Sequence, residues 1–163
     1  MKRPRYWVFF TILLISSKLY AESRSIVQVD FPIFSCLSKK DDRINLELSQ
    51  QQNGGNELIF THYERNGDLR YWFNEPIGNA YQEKYMNGSQ LYISNKNVWF
   101  KFYDLRAGSD KQIGVVIIDK SSGYQVASLD CVRDTISRLP FLKKGLFQPV
   151  IGSVKRFFEN VKH

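Results

Sequence analysis

Cysteine and histidine are scarce in this chain, two of each among 163 residues. Two cysteines with two histidines do not make an ordinary structural zinc site, so no metal is expected, and no other cofactor. Hydrolysis by a triad needs a histidine held beside a nucleophile. His163 is the last residue, and His62 stands between Thr61 and Tyr63 in a strand-like run, where it reads as a packed or surface strand residue. There is no Gly-x-Ser-x-Gly turn and no phosphate-cradling glycine loop. The carboxylates gather at strand ends and turns, with no pair singled out for acid–base work. An enzyme is not expected.

Long apolar runs are also missing. The longest, Tyr6 to Ile15, is about half of the roughly twenty residues a membrane-crossing helix needs. Lys2, Arg3 and Arg5 precede it, and Ser16-Ser17-Lys18 and then Ala21 follow. That order predicts a cleaved secretory signal over residues 1–21, with no cysteine at its end to take a lipid. The mature chain is then periplasmic or secreted.

Positive charge, although +7 overall, is not where a nucleic-acid binder needs it. Four of the 23 basic residues, Lys2, Arg3, Arg5 and Lys18, belong to the signal. Residues 22–136 hold 13 basic and 15 acidic groups, and residues 137–163 hold six basic groups against Glu159 alone. Without Lys and Arg clustered over the folded part, nucleic acid is not an expected partner.

What the chain does carry begins with its cysteine pair. In an oxidising compartment Cys36 and Cys131 are expected to join, closing a loop over most of the patterned region. Between them apolar and polar residues alternate in short runs. Ile44, Leu46 and Leu48 share one face, and Val98, Phe100 and Phe102 share another, opposite Trp99, Lys101 and Tyr103. Asn66-Gly67 between Leu58–Tyr63 and Leu69–Phe73 marks a hairpin whose two turn residues both tolerate positive φ. Ser25–Phe31 reads as an edge strand limited by Pro32, Tyr81–Met86 fits either a short helix or a strand, and Tyr124–Cys131 reads as the closing strand. Ile113–Ile118, apolar apart from Gly114, reads as a central strand covered on both faces. The fold class predicted is mainly β, a small antiparallel barrel or sandwich of about seven to eight strands over residues 22–136.

Residues 137–163 differ in kind. Val150, Ile151, Val154, Phe157, Phe158 and Val161 form one helical face, with Pro149 at the expected helix start. This basic amphipathic tail either covers the barrel, lies on an anionic membrane surface through Lys155, Arg156, Phe157 and Phe158, or stays free for a partner. Aromatic residues make up 15% of the chain, and Tyr71, Trp72, Trp99 and Tyr103 are the candidate partner-binding face, because large rings dominate interface energetics and stack on sugars. The competing expectation is a two-sided core that buries them.

The layout in which Cys36 precedes a meander of short strands and Cys131 ends it, in a small exported chain, resembles the periplasmic lysozyme inhibitors of the small β-barrel kind over about residues 36–131. Those inhibitors carry a Ser-Gly-x-x-Tyr-like loop, of which Asn87-Gly88-Ser89-Gln90-Leu91-Tyr92 is a distorted counterpart, and no functional residue is carried over. The function expected is that of an exported binding protein of the bacterial envelope that occludes a protein partner, as an inhibitor or a toxin-immunity protein does. The alternative is an envelope-associated module that binds glycan or anionic lipid through the aromatic face or the tail.

Overall fold

The computed structural model describes residues 29–51 and 54–162; the expected signal over 1–21 and the start of the expected first strand lie outside them. Among the described residues the chain is mainly β. The strands are β1 (Val29–Ser38), β2 (Arg43–Gln50), β3 (Asn56–Tyr63), β4 (Leu69–Pro76), β5 (Ala80–Tyr85), β6 (Gly88–Asn95), β7 (Val98–Ala107), β8 (Asp110–Asp119), β9 (Gln125–Ser137) and β10 (Gln148–Pro149), followed by one helix, α1 (Gly152–Glu159). All ten strands form one sheet in the order β10-β5-β6-β7-β8-β9-β1-β2-β3-β4. Strands β4 and β10 are its two ends, so the sheet curls into a half-barrel without a closing ladder.

Ten strands replace the seven to eight expected. Tyr81–Met86, which fits helix or strand by sequence, supplies β5, and the two-residue β10 runs parallel to it through Gln148↔Tyr81 and Pro149↔Gln82. Pro149 is therefore a strand residue, and the helix begins three residues later at Gly152. Nor does Pro32 end the first strand. It sits where the β1–β2 register shifts between Pro32 and Phe34, before the Phe34↔Ser137 pair opens the β1–β9 ladder. Its missing N–H falls where β1 has one neighbour instead of two. From Phe34 onward β1 is an interior strand rather than an edge.

At the β3–β4 hairpin only Gly67 takes a positive φ, +90°. The loop is wider than a two-residue turn: Glu64 N–H donates to Asp68 O at 2.8 Å and Gly67 N–H to Glu64 O at 2.8 Å. Asn66 acts through its side chain instead, its Oδ1 accepting the Asp68 N–H at 3.0 Å.

Alternation along each strand sorts side chains to two faces. The inner face collects Phe34, Cys36, Ile44, Leu46, Leu58, Phe60, Phe73, Leu91, Ile93, Phe100, Phe102, Val115 and Ile117 into one core. Its aromatic centre spans the curl: Phe60 on β3 meets Phe73 at 5.0 Å, Phe100 at 5.0 Å and Phe102 at 5.5 Å between ring centroids. Strand β8 is covered on both faces, as its apolar run predicts, with Ile113, Val115, Ile117 and Ile118 all buried.

After β9 the chain turns back over the half-barrel. Leu139, Leu142 and Phe147 enter the core, while Gln82 Nε2 donates to Leu139 O at 2.9 Å. Helix α1 then lies against the outer face of β6 and β7. Val154 is buried, Phe158 meets Tyr92 at 4.5 Å and Trp99 at 5.7 Å, and Phe157 meets Trp99 at 6.2 Å. Lys101 is enclosed by the same rings, its Nζ 5.8 Å from the Tyr92 centroid and 5.9 Å from that of Phe158, and burial lowers its pKa.

Candidate functional site

The disulfide joins Cys36 on β1 to Cys131 on β9, with the Cα atoms 5.6 Å apart. Around it the β1–β2 turn is fastened to β9: Lys39 Nζ pairs with Asp130 at 2.9 Å, and Arg133 pairs with Asp41. Within that turn Ser38 Oγ accepts the backbone N–H groups of Lys40 at 3.0 Å and Asp42 at 3.1 Å. The turn thereby carries Asp42 to a buried position above β3.

Strand register brings His62 to the same place. It pairs with Ile44 on β2 and Tyr71 on β4, and its ring lies nearly parallel to Tyr71 at 5.8 Å. The side chain is 3% exposed, and Nε2 stands 3.5 Å from Asp42 Oδ2, in ion-pair range but beyond good hydrogen-bond geometry. Among the described residues neither ring nitrogen of His62 has a hydrogen-bond partner. A buried polar group in that condition costs about 1–3 kcal/mol.

Over this pair opens a cleft of about 740 Å³, lined by Lys40, Asp42, His62, Glu64, Arg65, Asn66, Arg70 and the β9 residues Val126 to Leu129. Arg70 pairs with Glu64 at 2.5 Å, and Arg65 Nε lies 3.9 Å from Asp41. The cleft thus has a charged rim with an excess of cations and a buried imidazole at its floor. Its size is that of an ordinary ligand or side-chain pocket.

Burial drives the His62 pKa below the usual 6.5, because desolvation outweighs the pull of Asp42; Arg70 adds to the lowering and Glu64 opposes it. A histidine with a lowered folded pKa binds a proton more readily unfolded, so it favours the fold above its unfolded pKa and the advantage fades as pH falls below about 6.5. Urea unfolding of the native protein between pH 8 and pH 5 is expected to show stability falling on the acid side. The His62→Phe variant is expected to lose that slope, and an unchanged slope would assign it to other groups.

The residues singled out from sequence do not share one surface. Tyr71 faces inward, half-buried, with its ring edge-on to Phe100 at 6.2 Å. Trp72, its neighbour on β4, points outward and is 62% exposed. Trp99 lies beneath α1, and Tyr103 covers Gly114 while its hydroxyl donates to Asp130 at 2.8 Å. Burial and Asp130 raise the Tyr103 pKa, whereas Lys39 and Tyr103 lower that of Asp130. On α1, Lys155 and Arg156 are exposed, whereas Phe157 and Phe158 turn onto the sheet.

From sequence His62 reads as a packed or surface strand residue, Asp42 and Glu64 count only among the carboxylates gathered at strand ends and turns, and neither Arg65 nor Arg70 is singled out. Asp42 and His62 meet through the turn and the β2–β3 register, which no linear spacing announces. The available signal was charge at the β1–β2 and β3–β4 turns, Lys39 to Asp42 and Glu64 to Arg70. Among the described residues no group of three or more His, Cys, Asp or Glu side chains is placed to hold a metal ion. No family model, curated protein or solved structure matches the chain.

Proposed function

We propose that this chain is an exported, non-enzymatic binding protein of the bacterial envelope, which acts by occluding a protein partner in the manner of an inhibitor or immunity protein. The observation that carries this reading is the cleft over His62. The imidazole lies buried at the cleft floor beside Asp42, and Lys40, Arg65 and Arg70 at the rim favour an acidic side chain of the partner. Insertion would desolvate the charged rim around a partner's side chain, which is how a few residues come to dominate an interface. The scaffold suits the role, since a site built on strands and stapled by a disulfide loses little freedom on binding. The same disulfide fits an oxidising compartment outside the cytoplasm.

The test is affinity capture with the oxidised protein from envelope and culture-fluid extracts, run beside a His62→Phe/Arg65→Glu variant. One stoichiometric protein is expected on the native bait, held at least about 30-fold more weakly by the variant. No stoichiometric protein on the native bait, or equal retention by both baits, would overturn the reading.

A further inference from the structure

Two apolar side chains stand out of the fold at a groove that shares no residue with the cleft. Met86, at the turn between β5 and β6, is fully exposed, and Phe141, in the 3-10 turn after β9, is 80% exposed. They are 55 residues apart in sequence yet line one groove of about 350 Å³, together with Lys84, Tyr85, Arg106 and Pro140. Among the described residues these are the two most exposed of the large apolar side chains, and they share one groove, the kind of apolar projection that marks a contact surface.

The tip is held in place by its surroundings. Lys84 Nζ donates to Leu142 O at 2.5 Å and Pro140 O at 3.3 Å, tying the 3-10 turn to β5. Arg106 N–H donates to Asn87 O at 2.7 Å, tying β7 to the turn that presents Met86. Gly88 completes that turn at φ +154°, where a Cβ would fall 2.0 Å from Asp104 O, so only glycine allows the approach. Beneath Phe141, Leu142 is buried and anchors the segment.

Basic side chains dominate the exposed charge around the tip. Lys84, Arg106, Lys143 and Lys144 are exposed, and Lys84 and Lys144 also share the neighbouring groove beside Phe147. Of the nearby acids Asp104 is 3% exposed, and the half-buried Glu83 accepts the hydroxyls of Tyr85 and Tyr92.

We propose that the Met86/Phe141 tip, ringed by Lys84, Arg106, Lys143 and Lys144, is a peripheral docking site for an anionic lipid surface. Two separate apolar side chains on short rigid turns can enter the headgroup region without a matching surface, and the cations meet the lipid phosphates. Among the described residues no helix is long and apolar enough to cross a membrane, so the contact proposed is adsorption. It is independent of the cleft over His62, and it places lipid contact away from α1, whose Phe157 and Phe158 pack on the sheet.

Co-sedimentation of the oxidised protein with phosphatidylcholine vesicles, with and without phosphatidylglycerol, tests this at low salt. The native protein is expected to partition onto the anionic vesicles only. Lys143→Glu/Lys144→Glu should weaken partition by about 30-fold or more. Met86→Ser/Phe141→Ser should weaken it by about tenfold with an unchanged melting temperature, since both side chains lie outside the core. Lys155→Glu/Arg156→Glu on α1 should stay within about threefold, being a screened contribution away from the tip. Absence of anionic preference in the native protein, native-like binding by the apolar-tip variant, or a larger loss in the α1 variant than in the tip variants would each overturn the proposal.

Discussion

Replacing Cys36 and Cys131 together by serine is expected to lower the unfolding free energy by about 4–5 kcal/mol, as follows from releasing a loop of nearly a hundred residues in the unfolded chain. The separation is 95 residues. Small domains have about 5–15 kcal/mol in all, so the loss is a large share of the total. Topology makes the position of this link important. Strands β1 to β4 form one meander and β5 to β9 another, and the β1–β9 ladder is what joins them within the sheet. That ladder is irregular, with register shifts between Ser35 and Leu37 and again between Leu37 and Ser38. Strand β9 pairs with β8 through Asp130 and with β1 from Cys131 onward, so the cystine stands at the handover from one meander to the other. Denaturant unfolding with and without reductant is the measurement. The native midpoint should fall in reductant to that of the double serine variant, which should itself not respond. A native midpoint indifferent to reductant would remove the disulfide from the account of stability.

Much of the sheet was legible because its strands have one wet face and one dry one. Ile44, Leu46 and Leu48, then Leu58 and Phe60, then Phe100 and Phe102 announce themselves by alternation, and the structure puts most of them in the core. Strand β5 was ambiguous for a physical reason. Of its six residues only Ala80 is buried, and the polar Gln82 and Lys84 serve the carbonyls of Leu139, Pro140 and Leu142, so no apolar period survives. The extension of β9 past Cys131 was missed likewise. Val132, Arg133, Asp134, Thr135 and Ile136 are all exposed, and Asp134 takes a φ of 49° at an irregular stretch of the strand. The aromatic residues were legible as strand residues but not as a surface, because faces depend on register and curl. Trp72 and Trp99 lie on β4 and β7, well separated in the sheet order, and α1 packs on the second of them. The meeting of Asp42 with His62, and the placing of Met86 and Phe141 on one groove, are likewise set by register and chain return, and charge at the hairpin turns is the one trace of the first that the sequence carries.

The second large effect is expected at the aromatic centre of the half-barrel. Phe60→Ala should cost about 3–5 kcal/mol, the usual result of deleting a buried ring whose neighbours cannot collapse onto the space. Phe60 has no exposed surface. Its neighbours are held by different strands: Phe73 on β4, Phe100 and Phe102 on β7. Filling the space would require β3 to approach β7 across the interior, against the ladders that fix each strand in its own meander. Trp72→Ala, on the exposed face of β4, supplies the comparison and should change stability by about 0.5 kcal/mol or less. The contact between Phe60 and Phe100 is also a contact between the two meanders, beyond what the β1–β9 ladder and the cystine provide. A double-mutant cycle on Phe60→Ala and Phe100→Ala should therefore return a coupling of about 0.5–3 kcal/mol. Strict additivity would mean that the Phe60–Phe100 contact fills space without joining the two halves of the sheet, and would leave that task to their shared ladder, the disulfide and the remaining contacts across the core, such as Phe34 with Phe102 and Tyr71 with Phe100.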